Sequence, residues 1–548
     1  MLAFYYAWYR TPEVSKHWLH WEGVQPERRA IASATDYPAS GPYDSVDAKA
    51  LDRQMRQMAE AGIDGPIVSW WGRDREDGDL AMSRVLDAAA RHGRVVSVYY
   101  ERIDAPRPED RERKAADDLV YLIRRYTDSK TWLRVGDRPV IFVYSRALGE
   151  LGPPGRWRAV RALVRGRTGV EPFLVADAVA PEFADEFDGI HHYSLADRLA
   201  GRPLDRIERL TRAAALETLA TAREAGKLAC GTIIPGYDDT KIRRPGFVVS
   251  RHGGRTYRAG WEAVIGTGLD WALVSTWNEW HEGTQVEPSV EDGDRELEAT
   301  RGLAARFKDP EARVVPVPVD PRWKPLVDSW RGGTIGLLGG LGPIGADVLS
   351  SGLPCRLVSL RAFCHGAITA RDCPILIYGG GEKVRTDFGR GRTLDAALRR
   401  FARAGGVMVV ASFEPWPMNQ SLDTGQVSWS NTVGLPLAIG FETPPAPDLV
   451  VRFRGPLAEL GDLPFPTTGD PRFRPAVPPA DGTAVVEPLA TLQAADGRPI
   501  GHGLLALRYT AGPFAPARWF YAWFRIWDLP GLDRDDLIRR LLTLAARR

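Results

Sequence analysis

The sequence predicts an α/β chain: a (β/α)8 barrel of the TIM type, followed by a smaller flavodoxin-like α/β domain. Three observations predict the barrel. Within residues 1–308 of 548, eight apolar, β-branched or aromatic runs alternate with segments of helical period. The runs are almost continuously apolar, as parallel strands covered on both faces should be. Their C-terminal ends are polar or aromatic, and in a closed barrel those ends face one common cleft. A doubly wound open sheet is the structural alternative; eight β-α units in about 300 residues fit closure better.

The expected strands are LAFYYAWY (2–9), PIVSWW (66–71), VVSVYYE (95–101), PVIFVYS (139–145), PFLVAD (172–177), FDGIHHY (187–193), LACGTIIPGY (228–237) and LDWALVSTW (269–277). Between them, 47–62 places Leu51, Met55, Met58 and Ala59 on one face and stops at Gly62. Helices are also expected at 109–127, at 209–226 ending on Gly226, and at 292–307. Five prolines in 309–330 argue for a semi-rigid linker without regular structure. From 331 onward a second unit begins, with strands in TIGLLGG, CRLVSL, CPILIYGGGE and GGVMVVAS. Helices are expected at LGPIGADVLSSG, 393–404 and 533–546, with a Pro-rich part and the runs GHGLLALRY and WFYAWFRIWD before the last. The domains are therefore 1–308, a linker 309–330, and 331–548.

A hydrophobic content of 44% and a charged content of 26% are ordinary for a soluble globular protein. Lys and Arg total 72 against 70 for Asp and Glu, so the net charge of +2 gives no support for nucleic-acid or anionic-membrane partners. No apolar run reaches the ~18 residues of a membrane span. A strand rather than a signal peptide follows Met1, so the chain as given is expected in the cytoplasm; a secreted or periplasmic protein with an incomplete N-terminus would read the same. Cys230, Cys355, Cys364 and Cys373 form no CxxC pair and fit neither common zinc spacing, so buried free thiols are expected, with no metal and no cofactor.

The segment TWNEWHEGTQVEP (276–288) carries the chemistry. Glu279 and Glu282 stand three residues apart behind the eighth strand, among Trp277, Asn278, Trp280, His281 and Gln285. Aromatic rings beside paired acids point to a carbohydrate, with its flat C–H faces and its need for a proton donor and a base. In a helical turn the two Cβ atoms would lie ~5–6 Å apart on one face. Acids on one side are awkward for ordinary retention, in which nucleophile and acid flank the anomeric carbon. Instead, one acid can protonate the leaving oxygen while the other deprotonates the sugar's own 2-hydroxyl. A solvated helix start is the plainer alternative; the surrounding Trp, His and Asn disfavour it.

In order along the first domain, YYAWY (5–9), YDS (43–45), AGIDGPIVSWWG (61–72), YYE (99–101), PGYDDTKIR (235–243) and WNEWHEGTQVEP (277–288) resemble glycoside hydrolase family 99, the endo-α-mannosidase and endo-α-mannanase family. The resemblance implies a retaining hydrolase of α-mannosides acting through a 1,2-anhydro sugar, without a metal. Glu279 would be the base at the 2-hydroxyl and Glu282 the acid/base at the glycosidic oxygen. The chain starts tightly at its first strand and several loops are short for an endo-acting member. Tyr6, Trp277 and Asn278 join the substrate contacts through these motifs. A non-hydrolytic glycan-binding or polysaccharide-assembly protein on the same barrel is the alternative, because a related group carries a shorter NEW-x-EG motif; a structural scaffold is a third reading.

Other strand ends supply further candidates. Glu101 either holds substrate hydroxyls and tunes the pair or forms a salt bridge to Arg102 or Arg243. His191, His192 and Tyr193 end the sixth strand and are expected to touch substrate. Tyr237, Asp238 and Arg243 lie in the long polar loop 235–256 and are expected at subsites. Trp70 and Trp71 alternate, so only one should face the cleft. His17, Trp18, His20 and Trp21 either wall a subsite or pack in the core. In the second domain, YGGGE (378–382) resembles a loop of class I glutamine-amidotransferase-like domains, yet the comparable strand ends at Ala411 and Ser412 with no nucleophilic Cys. That domain is expected to be catalytically silent and to serve interface formation, with homo-oligomers through it, or ligand binding.

Overall fold

The structure is a computed structural model that describes residues 1–73, 75, 78–310, 321–412, 418–427, 448–465, 473, 483–494, 496–522, 524–529 and 531–547. The chain divides into two compact units between residues 316 and 317.

In the first unit, eight parallel strands run β1 Leu2–Tyr5, β2 Gly65–Trp70, β3 Ser97–Tyr100, β4 Arg138–Val143, β5 Phe173–Asp177, β6 Gly189–His191, β7 Leu228–Ile233 and β8 Trp271–Val274. Their spatial order is β3-β2-β1-β8-β7-β6-β5-β4, and the register Tyr99↔Phe142, Tyr100↔Val143 joins β3 to β4 and closes the barrel. The α/β reading thus holds in its closed form, and the open-sheet alternative does not. Most strands stop short of the ends of their apolar runs. At the rim the backbone leaves the ladder: Tyr6 N–H donates to Asn278 Oδ1 at 2.8 Å.

Side-chain alternation divides the core in two. Leu2, Phe4, Ile67, Tyr99, Val140, Phe142, Val175, Cys230 and Leu273 fill the barrel interior. Ala3, Tyr5, Val68, Tyr100, Ile141, Leu174 and Ala272 face the helices. Helix α1, Ala48–Glu60, starts on Asp47, whose side chain accepts from Lys49 N, and buries Leu51, Met55 and Met58. Gly62 takes φ +78° just past its end, a conformation that costs a side chain but not glycine. Arg111–Tyr126, Leu204–Ala225 and Arg295–Lys308 form the other expected helices.

The second unit holds a nine-stranded sheet. Five parallel strands, β10 Cys355–Val358, β9 Ile335–Leu338, β11 Ile375–Tyr378, β12 Val407–Val410 and β17 Arg518–Ala522, lie in that order. This is the order of a doubly wound flavodoxin-like sheet. An antiparallel extension absent from the sequence expectation continues it: β16 Pro499–Tyr509, β15 Ala484–Gln493, β13 Val450–Phe453 and β14 Asp462–Pro464. Most of the Pro-rich part, and residues 311–320 of the expected linker, lie outside the described residues. Within the rest of that linker, Lys324–Ser329 is a short helix with Pro325 in its first turn, where a missing N–H costs nothing. Cys230, Cys364 and Cys373 are buried free thiols, whereas Cys355 is only half-buried. Among the described residues no helix is long and apolar enough to cross a membrane.

Candidate active site at the strand ends

The turn after β8 is fixed from several directions. Trp277 N–H donates to Phe4 O at 2.7 Å, Thr276 N–H to Thr284 O at 3.0 Å and Glu287 N–H to Trp277 O at 2.9 Å, so 276–287 closes on itself. The Asn278 amide straddles the Tyr6 backbone, accepting from its N–H at 2.8 Å and donating to its O at 2.9 Å. Glu279 N–H donates to Thr276 Oγ1 at 2.8 Å, and Trp280–Glu282 then makes one 3-10 turn that stops at Gly283, φ +62°. A Cβ there would lie 3.1 Å from Asp238 N and 3.3 Å from Thr35 Oγ1, so this turn needs glycine twice over.

Glu279 and Glu282 therefore leave the same strand end. Glu279 is 7% exposed, and its Oε2 accepts from Tyr193 Oη at 2.6 Å, which in turn lies 2.6 Å from Tyr6 Oη. Glu282 pairs with the Arg243 guanidinium at 2.8 Å. Burial raises the pKa of Glu279 well above the ordinary value, the Glu282 charge raises it further, and the Tyr193 hydroxyl opposes both. Burial also raises Glu282, against Arg243. A buried acid and a half-buried one that repel each other both have their ionised forms disfavoured relative to isolated carboxylates.

Glu101 is 2% exposed, and burial pushes it up to about 8, opposed first by the Ser69 hydroxyl, which donates to it at 2.7 Å. The salt-bridge reading of Glu101 is corrected: Arg102 pairs with Asp104 at 2.6 Å and Arg243 with Asp239 and Glu282. Tyr237 stacks on Phe247 with centroids 4.7 Å apart, and its hydroxyl accepts from Arg243 at 2.6 Å. Buried Asp239, which the sequence reading passed over, holds this group together: it accepts from Arg243 at 2.8 Å, Tyr237 at 3.0 Å and Phe247 N–H at 2.8 Å. Asp238 instead closes its own turn on Thr240, at 3.0 Å to the N–H and 2.6 Å to the hydroxyl.

Several expected substrate contacts lie elsewhere. Trp70, 1% exposed, packs on the helix side near Tyr100, while Trp71 stays half-buried at the rim with Arg75 and Arg146 over its ring. Trp277 is fully buried in the helix-side core, and the buried Asn278 side chain is occupied by the Tyr6 backbone and Tyr43. His191 is fully buried inside the barrel against Phe4, 5.6 Å between centroids, below the cleft rather than on its wall. The His192 carbonyl accepts from Thr232, and its ring feels Arg198 as well as burial, both of which lower its pKa. Position along a strand decides these cases: a residue one step before the rim is core, whatever its chemistry. Tyr6 and Tyr193 do reach the acids.

Beyond Glu279 stands an aromatic wall. Trp21 stacks on Tyr9 at 4.1 Å and is buried, His20 stacks on Trp8 at 4.5 Å, and Trp18 is 45% exposed. Among the described residues, one cluster offers metal-ligand atoms together: His20, Glu22 and His281, within 4.8 Å of one another. His281 Nε2 already lies 2.9 Å from the His20 carbonyl and 3.4 Å from Glu22, and the bond to His281 holds Glu22 down at about 2. His281 is thus already engaged by hydrogen-bond partners within the cluster.

Two carboxylates on one short turn beside aromatic rings, at the C-terminal mouth of a closed barrel, are an arrangement that suits a glycosidase of the (β/α)8 class. The family model for glycosyl hydrolase family 99 matches residues 1–164 and 183–307, and the chain belongs to that family. Its substrate is therefore a carbohydrate, and the non-hydrolytic alternative is not favoured. A glycoprotein endo-alpha-1,2-mannosidase-like protein of Danio rerio is 26% identical over 330 residues, covering 52% of this chain and 70% of that protein. Glycoprotein endo-alpha-1,2-mannosidase of Mus musculus is 24% identical over 329 residues, covering 53% and 67% respectively. Among solved structures, the GH99 endo-alpha-mannosidase from Bacteroides thetaiotaomicron is 24% identical, covers 57% of this chain and 98% of its own, and has a TM-score of 0.47.

Proposed function

We propose that the first unit hydrolyses α-mannosidic bonds with retention, through a 1,2-anhydro sugar. The observation that carries the mechanism is the shared origin of Glu279 and Glu282 in one short turn after β8, each with its own partner, Tyr193 and Arg243. Glu279 takes the proton of the 2-hydroxyl as its oxygen bonds to the anomeric carbon. Glu282 gives a proton to the departing glycosidic oxygen. Water then attacks the same carbon, Glu282 takes its proton, and the ring-opened 2-oxygen recovers the proton from Glu279. Two inversions leave the configuration retained, and every proton is returned.

Burial raises both acids and Arg243 opposes the rise at Glu282, so the reactive form is the one in which Glu279 is ionised and Glu282 carries the proton. A base whose conjugate acid is weakened by burial removes a hydroxyl proton more effectively than an exposed carboxylate. Arg243 holds the Glu282 carboxylate when it is ionised between the two half-reactions. The names of the relatives support mannose as the sugar. The second unit is read as non-catalytic, because β12 runs into Ala411 and Ser412 where an amidotransferase-like site needs its nucleophile; light scattering of the full chain tests whether it makes a homo-oligomer. The test of function is digestion of α-mannans and α-mannose-capped oligosaccharides. Glu279→Gln and Glu282→Gln each lower kcat by about three orders of magnitude or more; near-normal turnover by either removes its assigned role.

A further inference from the structure

Behind the catalytic turn lies a third acid, Glu287, whose hydrogen bonds lead away from Glu279 and Glu282. It is 4% exposed. Its Oε1 accepts from Gln54 Nε2 at 2.7 Å and its Oε2 from the Tyr43 hydroxyl at 2.7 Å. Gln54 in turn accepts from the Tyr5 hydroxyl at 2.7 Å through Oε1. Tyr43, having given its only proton to Glu287, presents lone pairs to Asn278 Nδ2 at 3.0 Å and to the Trp280 indole N–H at 3.4 Å. Those two residues flank Glu279, and the Tyr9 hydroxyl ties them again, donating to Asn278 O at 3.0 Å and accepting from Trp280 N–H at 3.1 Å.

We propose that Glu287 is a positioning residue: as a group that only accepts, it fixes the direction of every proton in the chain Tyr5–Gln54–Glu287–Tyr43, and so sets the attitude of the turn that bears Glu279 and Glu282. The proton count makes the choice of residue specific. Burial raises the Glu287 carboxyl, and the Gln54 and Tyr43 donors oppose that rise by favouring the ionised form; ionised, it takes two protons, one on each oxygen, and Gln54 then has a single orientation, N–H toward Glu287 and oxygen toward Tyr5. A glutamine in place of Glu287 has the same shape but one oxygen. If that oxygen keeps Tyr43, the new amide N–H faces Gln54, which must flip; Gln54 then offers N–H to the Tyr5 hydroxyl, whose own proton is left buried without an acceptor. If the oxygen keeps Gln54 instead, an amide donor faces Tyr43, and the Tyr43 proton has nowhere to go but against the Asn278 and Trp280 donors. Either solution shifts the floor of the catalytic turn.

The same count predicts a rescue by exchange, Gln54→Glu combined with Glu287→Gln. Tyr43 then donates to the amide oxygen at position 287, and the amide N–H there donates to the carboxylate now at position 54. Tyr5 donates to the other oxygen of that carboxylate. Every proton regains an acceptor and Tyr43 keeps its lone pairs toward the turn.

The test rests on the proposed α-mannosidase activity for its kinetic arm and not for its second arm. Wild type, Glu287→Gln, the exchanged double variant and Tyr43→Phe are compared on an α-mannoside and by hydrogen–deuterium exchange of the peptides covering 276–284. Glu287→Gln is expected to lower kcat about a hundredfold, as an error near 1 Å in the placement of reacting groups does, with KM within about threefold. Exchange in 276–284 rises, and the double variant returns both quantities to within about threefold of wild type. A merely structural role would reduce the folded fraction and leave kcat per folded molecule unchanged. Wild-type kcat in Glu287→Gln, or a double variant as impaired as the single one, overturns the proposal. If Glu287→Gln does not fold, Tyr43→Phe decides: wild-type kcat and exchange in that variant overturn it equally. If wild type cleaves no α-mannoside, the reading of function fails, and the exchange pattern alone still supports or refutes the role of Glu287.

Discussion

Replacing Tyr193 with Phe removes one hydroxyl from the site and leaves the ring, which stacks on Tyr99 at 5.5 Å between centroids. That hydroxyl donates to Glu279 at 2.6 Å, and it is the main group that opposes the effect of burial on the Glu279 carboxyl. A hydrogen bond to an ionised group contributes about 1.5–3 kcal/mol, and a tenfold change in protonation corresponds to about 1.4 kcal/mol. Loss of the bond therefore raises the Glu279 pKa still further. As the proposed base Glu279 must be ionised, so the acid-side limb of the kcat/KM profile should move up with it. Below the limb, Tyr193→Phe should lose about ten- to hundredfold in kcat/KM, and much of the loss should return as the pH is raised. The assay is kcat/KM on one α-mannoside from about pH 4 to 9 for both proteins. An acid limb that stays in place or moves down refutes the assignment of Glu279 as the base held by Tyr193.

Other outcomes follow from the same geometry. Arg243→Gln removes the cation that lowers the Glu282 pKa, so the alkaline limb of kcat/KM should move to higher pH while kcat falls; an alkaline limb that moves down contradicts the acid role. Glu101, raised by burial to about 8, takes up a proton on folding between the unfolded carboxyl value and pH 8, so it makes the protein progressively less stable as pH rises through that range. Glu101→Gln should therefore flatten the fall of Tm with pH and gain up to about 5 kcal/mol relative to wild type near pH 8, as thermal melts across pH would show. Gly283→Ala places a Cβ at φ +62° within 3.1 Å of Asp238 N, which should cost about 1–2 kcal/mol in stability and displace Glu282, lowering kcat more than KM changes.

The barrel was legible because each strand is covered on both faces, which leaves an apolar run that survives any detail of packing. The rim was less legible. Polar or aromatic character at a strand end singled out Glu101, Tyr193 and Glu279, and the family motifs added Tyr6, but neither could say how deep a side chain sits. Trp277 and Asn278 stand next to Glu279 in sequence, yet one is helix-side core and the other is locked on the Tyr6 backbone. The alternation of Trp70 and Trp71 allowed one of them to face the cleft, and the structure leaves that to Trp71. Asp239 and Glu287 were missed for a common reason: each is a buried acid whose meaning comes from partners far away in sequence or around a turn. Glu287 meets Gln54, 233 residues away, and Tyr43, 244 residues away. An acid framed by Val286 and Pro288 in an otherwise buried stretch was the one available signal. In the second unit the apolar runs of the parallel strands were visible, as was the run GHGLLALRY that lies in β16, but nothing in the sequence showed that the strands around it pair antiparallel.

The central claim is that two acids on one side of the sugar make its own 2-hydroxyl the nucleophile, so that configuration is retained. Proton NMR of an α-mannoside digest, followed from the first turnover before mutarotation, measures this directly. The α-anomer should appear first and the β-anomer only as mutarotation proceeds; a β-anomer formed first would show single inversion and contradict the mechanism.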